Sequence, residues 1–353
     1  MQKTAISWIS TILIGTVLLV GCGAVTKEKA SQPVDPPANV TKKDQDKKNT
    51  NEPAKEEKKA DAAKHELYLV DKNGYVVPQA IDLPNAKDNA VMKQALEYLV
   101  KDGPVTSLLP NGFQAVLPAN TQIKGVDVRS DGTAVADFSA DIKKYKKEEE
   151  RQIVESITWT LTQFKDVKRV KIQIEGQDQA MMPVNKTPIG EGVSRADGIN
   201  FDDEQLVDVM NTKPVTLYFV TQSNKQTYYV PVTRRISNSE KDEVISVVNE
   251  LIKGPSQKSQ LVSDFNPDVR LVNAPTYENG KVTLNFNDNI YASVGKNVIS
   301  NYVLGALVLS LTEQKGVQSI SIEVNGKSDL LKENGEKLTK PVTRPQNVNT
   351  GSF

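Results

Sequence analysis

Histidine and cysteine are nearly missing: the 353-residue chain has one of each, His65 and Cys22. Neither a Ser–His–Asp nor a Cys–His pairing can form in a folded part that begins after both. A single Cys excludes an intramolecular disulfide, and these two residues cannot supply a Cys/His zinc site. Net charge is missing as well, with 44 basic against 44 acidic residues. That balance argues against a chain built to neutralise nucleic-acid phosphates, so no nucleic-acid partner is expected. There is no G-x-x-x-x-G-K-[ST] sequence, and Gly190-Glu191-Gly192 is a lone G-x-G without a following helix signal, hence a turn. No cofactor is expected.

What is there begins with a leader. Lys3 is followed by an apolar run from Ile12 to Val20, short for a membrane span and suited to a signal peptide. The run ends in Leu19-Val20-Gly21-Cys22, which resembles a bacterial lipobox. The resemblance implies cleavage before Cys22, residues 1–21 as signal peptide, and a lipid on the sulfur. Residues 22–66 are then a disordered tether, because Lys, Glu, Asp, Asn, Pro and Ala cannot bury enough apolar surface to offset ordering. His65, at the end of this tether, is expected to be a solvated bystander.

Beyond the tether the chain repeats itself. Val193-Ser-Arg-Ala-Asp-Gly-Ile-Asn200 returns as Val342-Thr-Arg-Pro-Gln-Asn-Val-Asn349. Leu67-Tyr68-Leu69-Val70 returns as Leu217-Tyr218-Phe219-Val220, and Val170 to Gly176 returns as Ile320 to Gly326. The offsets stay close to 150, too long for a solenoid repeat and the size of a domain. The chain therefore divides into a first domain at 67–200, a connection at 201–214 and a second domain at 215–349.

Each copy yields the same elements. A strand begins at Leu67 and pairs with Tyr75–Ile81 across Lys72-Asn73-Gly74, since Asn-Gly favours a hairpin. Val91, Ala95 and Leu99 mark one face of a helix, as Val244, Val248 and Leu251 do in copy two, with Gly-Pro ending both. Strands follow at Gln122–Val128 and Thr133–Phe138. A second helix runs from about Glu149 to Phe164, with Ile153, Ile157 and Leu161 buried, matched by Val303, Leu307 and Leu311. Val170–Glu175 alternates as a half-buried strand. The predicted class is α+β: two tandem copies of a small domain with helices packed on a mostly antiparallel or mixed sheet.

Paired carboxylates are the one catalytic arrangement left. Asp137 and Asp141 flank a strand end and could serve glycosidic cleavage. Copy two has Asn285 and Asn289 there; an amide keeps the hydrogen bonds of a turn but moves no proton. A structural role explains both copies. The Glu148-Glu149-Glu150 run reads as a solvated first helical turn, where negative charge suits the dipole. Trp159, replaced by Leu309, and Tyr98 read as core. Tyr228-Tyr229 are surface aromatics or strand residues. Arg195 and Arg344 either pair with a carboxylate of their own domain or bind an anion; the internal pair is favoured, because a duplicated fold needs its latch twice.

Taken together, Pro231-Val232-Thr233-Arg234-Arg235-Ile236, the Gly254-Pro255 helix stop, Val135-Ala136-Asp137-Phe138-Ser139 and Leu161-Thr162-Gln163-Phe164, doubled behind a lipobox, resemble the sporulation and spore germination family with paired GerMN domains. The likeness covers about residues 67–349. Asn285-Phe286-Asn287 and Asn120 depart from its pattern. It implies a ring-building-motif-like fold and a non-enzymatic lipoprotein on the outer face of the cell membrane, in the space between mother cell and forespore. It also implies SpoIIIA–SpoIIQ-type channel partners and self-association into rings through helix faces and sheet edges. The alternative it leaves is a peptidoglycan-binding or muralytic factor of the cortex or septal wall.

Overall fold

The computed structural model describes residues 62–84, 89–202, 210–223, 226–293 and 296–350. Cys22 and the lipobox residues Leu19, Val20 and Gly21 lie outside them, as does the tether up to residue 61. The described residues belong to one compact unit.

Copy one runs β1 (Ala62–Asp71), β2 (Val76–Pro84), α1 (Asn89–Glu97), β3 (Phe113–Gln114), β4 (Ile123–Val128), β5 (Thr133–Phe138), α2 (Glu150–Leu161), β6 (Arg169–Ile174) and β7 (Gln177–Asp178). Copy two runs β8 (Thr212–Ser223), β9 (Gln226–Ser237), α3 (Glu243–Lys253), β10 (Thr276–Glu278), β11 (Lys281–Phe286), β12 (Tyr291–Ser293), β13 (Lys296–Ile299), α4 (Asn301–Leu311), β14 (Ser319–Val324), β15 (Leu331–Lys332) and β16 (Val342–Thr343). Each copy joins a long antiparallel hairpin, β1–β2 or β8–β9, to a four-stranded sheet ordered β4-β5-β6-β7 or β10-β11-β14-β16. The central pair of each sheet is parallel, because a helix carries the chain from one strand to the next. This is an α+β architecture with mixed sheets, built twice.

The second helix of each copy lies between the sheet and the hairpin. Ile153, Ile157 and Leu161 of α2 are fully buried, with Leu67 and Leu69 of the hairpin and Phe138 and Ile172 of the sheet in the same core. α4 is apolar all round (Asn301-Tyr-Val-Leu-Gly-Ala-Leu-Val-Leu-Ser-Leu311), as a helix covered on every side must be. Only Arg151 among the residues of α2 is exposed, so this helix has no free face for neighbours. α1 and α3 do, and the expected contact faces move to them. Apolar contact continues unbroken from one copy into the other.

Four expectations are corrected. The tether was expected to reach residue 66, but β1 starts at Ala62, and Ala62–Glu66 pair with Ala80–Pro84. A ladder is made by backbone groups, so a polar segment joins it without an apolar signal. His65 is thus a strand residue, its ring 5.8 Å from that of Phe164. The connection at 201–214 is shorter than drawn, since Thr212–Pro214 already pair with Arg235–Ser237 and Asp202 bridges to Arg234. Gly254 ends α3 at φ +78°, but α1 stops at Glu97, and Asp102 rather than Gly103 takes the positive φ.

The fourth is Glu150, which is fully buried rather than solvated. Its carboxylate accepts from the amides of Val184 (3.0 Å), Asn185 (2.7 Å) and Thr187 (2.9 Å), and from the hydroxyls of Thr187 (2.6 Å) and Tyr145 (2.7 Å). Burial pushes its carboxyl up, but these donors outweigh it and bring it down to about 2. It fastens the 183–187 loop to the start of α2.

Candidate interaction site at the junction of the copies

The repeated tails are straps between the copies. In β1–β2 and β8–β9, Tyr68 pairs with Pro78 and Tyr218 with Pro231, so Val76 and Tyr229 are matching positions, as are the two prolines. Asn200 accepts from Val76 N (2.8 Å) and donates to Val76 O (2.7 Å) and to Pro231 O (2.8 Å). Asn349 accepts from Tyr229 N (2.7 Å) and donates to Tyr229 O (3.0 Å) and to Pro78 O (2.9 Å). Each amide thus holds its own hairpin twice and the other copy's proline carbonyl once. Proline has no N–H, so these two strand edges cannot zip together directly, and the Asn side chains make the link. Both Asn residues sit at positive φ, +46° and +64°, a conformation Asn tolerates better than most residues.

The first strap approaches copy two closely. Ile199 N donates to Thr233 Oγ1 (2.8 Å), and Thr233 N donates to Ile199 O (2.8 Å). Gly198, at φ +87°, has no space for a side chain: a Cβ would lie 2.5 Å from the Phe201 ring. Trp159, fully buried beneath it, donates to Gly198 O at 3.2 Å.

Where the straps cross the ends of the helices, an ion cluster forms. Arg195 lies 3.0 Å from Glu313, and Arg344 is also 3.0 Å from Glu313. Tyr218 donates to Glu313 (2.9 Å), and Arg344 donates to the Tyr218 hydroxyl (2.7 Å). Arg195 stacks 4.4 Å over Trp159. Burial opposes ionisation of Glu313, but Arg195, Arg344 and Tyr218 overcome it and hold its carboxyl below the usual range. Arg344 therefore has its carboxylate within its own copy, as expected, while Arg195 crosses to the other. The position matching Glu313 in copy one is Gln163, whose amide brackets the backbone of Glu66, so one carboxylate serves two arginines. A second buried cluster joins the connection to copy two. Arg234 reaches Asp202 (2.7 Å), Glu250 (2.9 Å) and Gly254 O (3.0 Å), tying the connection to the end of α3.

The remaining candidates resolve structurally. Asp137 accepts from Gly176 N (2.9 Å), and Asn285 accepts from Gly326 N (3.0 Å), the same turn bond in both copies. Asp141 pairs with Lys144 at 2.7 Å at the surface, and Asn289 donates to Asp268 O. Tyr98 is partly buried against the core. Tyr228 and Tyr229 are buried strand residues; Tyr228 crosses to copy one, donating to Asp71 (2.8 Å) and packing on Phe113. No group of His, Cys, Asp or Glu among the described residues is placed to hold a metal. No helix among them is long and apolar enough to cross a membrane.

Sequence reading missed Glu155. It sits in α2, 6% exposed, with one carboxylate oxygen buried and without a partner. Burial pushes its carboxyl up to about 7, against the pull of the Asn200 backbone N–H and of Arg151. The roles of Asn200 and Asn349 were missed too, although their identity in both tails was a visible signal.

The whole arrangement has close parallels. A model of the family described as "Sporulation and spore germination" matches residues 66–180 and 216–329. The spore germination protein GerM of Bacillus subtilis (strain 168) is 50% identical over 359 residues, covering 98% of this chain and 97% of the relative. The solved tandem GerMN domains of the B. subtilis sporulation protein GerM superpose with a TM-score of 0.77 at 53% identity, covering 82% of this chain and all of that one. With both copies matched and the two-copy fold shared, the chain belongs to the sporulation and spore germination family and carries its tandem GerMN domains.

Proposed function

We propose that this member of the family acts without catalysis, as a membrane-anchored assembly component of sporulation and germination, with channel proteins of the SpoIIIA–SpoIIQ type as partners. Cys22 would carry the lipid that holds it to the outer face of the membrane, between mother cell and forespore. The observation that carries the non-catalytic reading is the turn bond shared by Asp137 and Asn285: an amide does in one copy what the best candidate carboxylate does in the other. Self-association into rings would have to use α1, α3 or sheet edges, since α2 and α4 are enclosed.

The test is Asp137→Asn in sporulating cells, with purified protein assayed for muropeptide release from cortex. Normal spore yield and germination with no release is the expected result. Release by the wild type that is lost in the variant would favour the muralytic reading instead.

A further inference from the structure

Each copy has a groove between the outward face of its first helix and the segment entering its four-stranded sheet. In copy one it holds about 520 Å3 and is lined by Lys93, Glu97, Lys101 and Gln122, among others. In copy two it holds about 580 Å3, with Ile245, Ile252, Leu271 and Ala274 as lining and Lys253 and Arg270 at its margins. The positions match through the repeat: Ile245 stands where copy one has Lys93, Asn249 where it has Glu97, and Arg270 where it has Gln122. Val100 and Ile123 line the first groove where Ile252 and Leu271 line the second, so both share an apolar floor, and the difference lies in Lys93 against Ile245 and in the margin beyond.

The apolar surface continues past the groove. Val272 is 53% exposed and Tyr277 55%, at the positions of Lys124 and Arg129. Tyr277 donates to Asp242, the N-cap of α3, and so closes the end beside Ile245. A cluster of exposed apolar side chains that the sister copy replaces with charges marks a contact surface.

The occupant is fixed by backbone and charge. Val272 N donates to Asn285 O (2.7 Å), and Asn287 N donates to Arg270 O (3.0 Å). Leu271 therefore faces Phe286 as a non-hydrogen-bonded antiparallel pair, and its own N–H and C=O point away from the sheet, on the groove side. This isolated bridge thus presents a backbone edge, the N–H and C=O of Leu271, open to addition. Lys253, paired with Glu250, stands on the helix wall and Arg270, 3.5 Å from Asp268, on the opposite wall; both side chains are more than half exposed and free to turn to a new anion, and the residues lining the groove include no carboxylate. From Ile245 to Ile252 is about 10 Å of helix, the length of about three strand residues.

We propose that this groove of copy two receives an extended segment of a partner protein, aliphatic at alternate residues and flanked by Asp or Glu, which adds as a strand beside residues 270–274. The proposal rests on the assembly reading, to which it assigns a surface. It is tested with the full chain in detergent micelles by methyl NMR of Ile245, Ile252 and Leu271. The probes are the nonapeptide Asp-Glu-Val-Thr-Val-Thr-Val-Asp-Glu, blocked at both ends, and its counterpart with Lys for every acid.

The acidic peptide should shift these methyl resonances, bind at least tenfold more weakly to Ile245→Asn/Ile252→Asn, and bind severalfold more weakly to Arg270→Gln, which copies Gln122. Circular dichroism checks that the variants fold. Equal binding of both peptides, no shift at these methyls, or unchanged binding by the Arg270→Gln chain would overturn the proposal. Spore yield separates it from the assembly reading: Arg270→Gln with weakened peptide binding but normal yield would leave the groove standing and remove its role in assembly.

Discussion

Replacing Glu155 by Gln should make the protein more stable above neutral pH and less sensitive to pH between about 4.5 and 7. In the folded chain the carboxyl is pushed up to about 7 from an ordinary 4.5, so the native state holds a proton that the unfolded chain releases. Below pH 4.5 both states are protonated and Glu155 imposes no penalty. As pH rises through 4.5 the unfolded chain ionises first, and stability falls until the folded group also ionises near 7. At 1.36 kcal/mol for each tenfold change in proton affinity, the loss amounts to about 3 kcal/mol. Gln never ionises, but its NH2 takes the place of an unpartnered oxygen and costs about 1 kcal/mol. The net expectation at pH 8 is a gain of about 2 kcal/mol; at pH 4 the variant should be slightly weaker than wild type. Urea denaturation of both proteins from pH 4 to 8 measures this directly. The comparison removes other titrating groups, including Glu66, whose buried carboxyl is also raised. Parallel stability curves for the two proteins across that range would refute the reasoning.

Asn200→Ala and Asn349→Ala each remove three side-chain hydrogen bonds and place Ala at positive φ; urea midpoints should show a loss of about 3 kcal/mol for each. Glu313→Gln leaves Arg195 and Arg344 facing a neutral amide. With the arginines about a quarter exposed and partly screened, the expected loss is about 1–3 kcal/mol at pH 7. The contribution of Glu313 is present above pH 4.5 and disappears as pH falls through its lowered folded value, so wild type and variant should converge in acid. Cys22→Ala should abolish metabolic lipid labelling; normal labelling of the variant would remove the anchor from the proposal.

The elements were legible where apolar periodicity met a strong turn signal. The stripe Ile153, Ile157, Leu161 and the Asn73-Gly74 turn gave the helix and the hairpin strand to within a few residues. The start of β1 at Ala62 was not, because backbone pairing leaves no mark on the side chains of Ala62–Glu66. Glu150 and Glu155 have opposite environments within one helix, a difference set by the loop and strap folded over them rather than by neighbours in the chain. Arg195 and Arg344 were singled out correctly, but their shared carboxylate was invisible: knowing that Gln163 and Glu313 match does not reveal that the two helix ends meet. The Asp137 and Asn285 turn bonds were inferable because the repeat supplied its own comparison.

The contacts across the junction repeat as a twofold axis would repeat them, yet the ion cluster does not. In a dimer of identical chains every substitution appears on both sides of the axis, so carboxylates there come in pairs or not at all. A chain that holds both halves is released from that arithmetic. Glu313 can stand alone between two arginines, Glu155 can face a counterpart that is Gly305, and Val76 can answer Tyr229. Covalent linkage frees the two sides of a symmetric contact to differ, so that Lys93 lines one groove where Ile245 lines its twin.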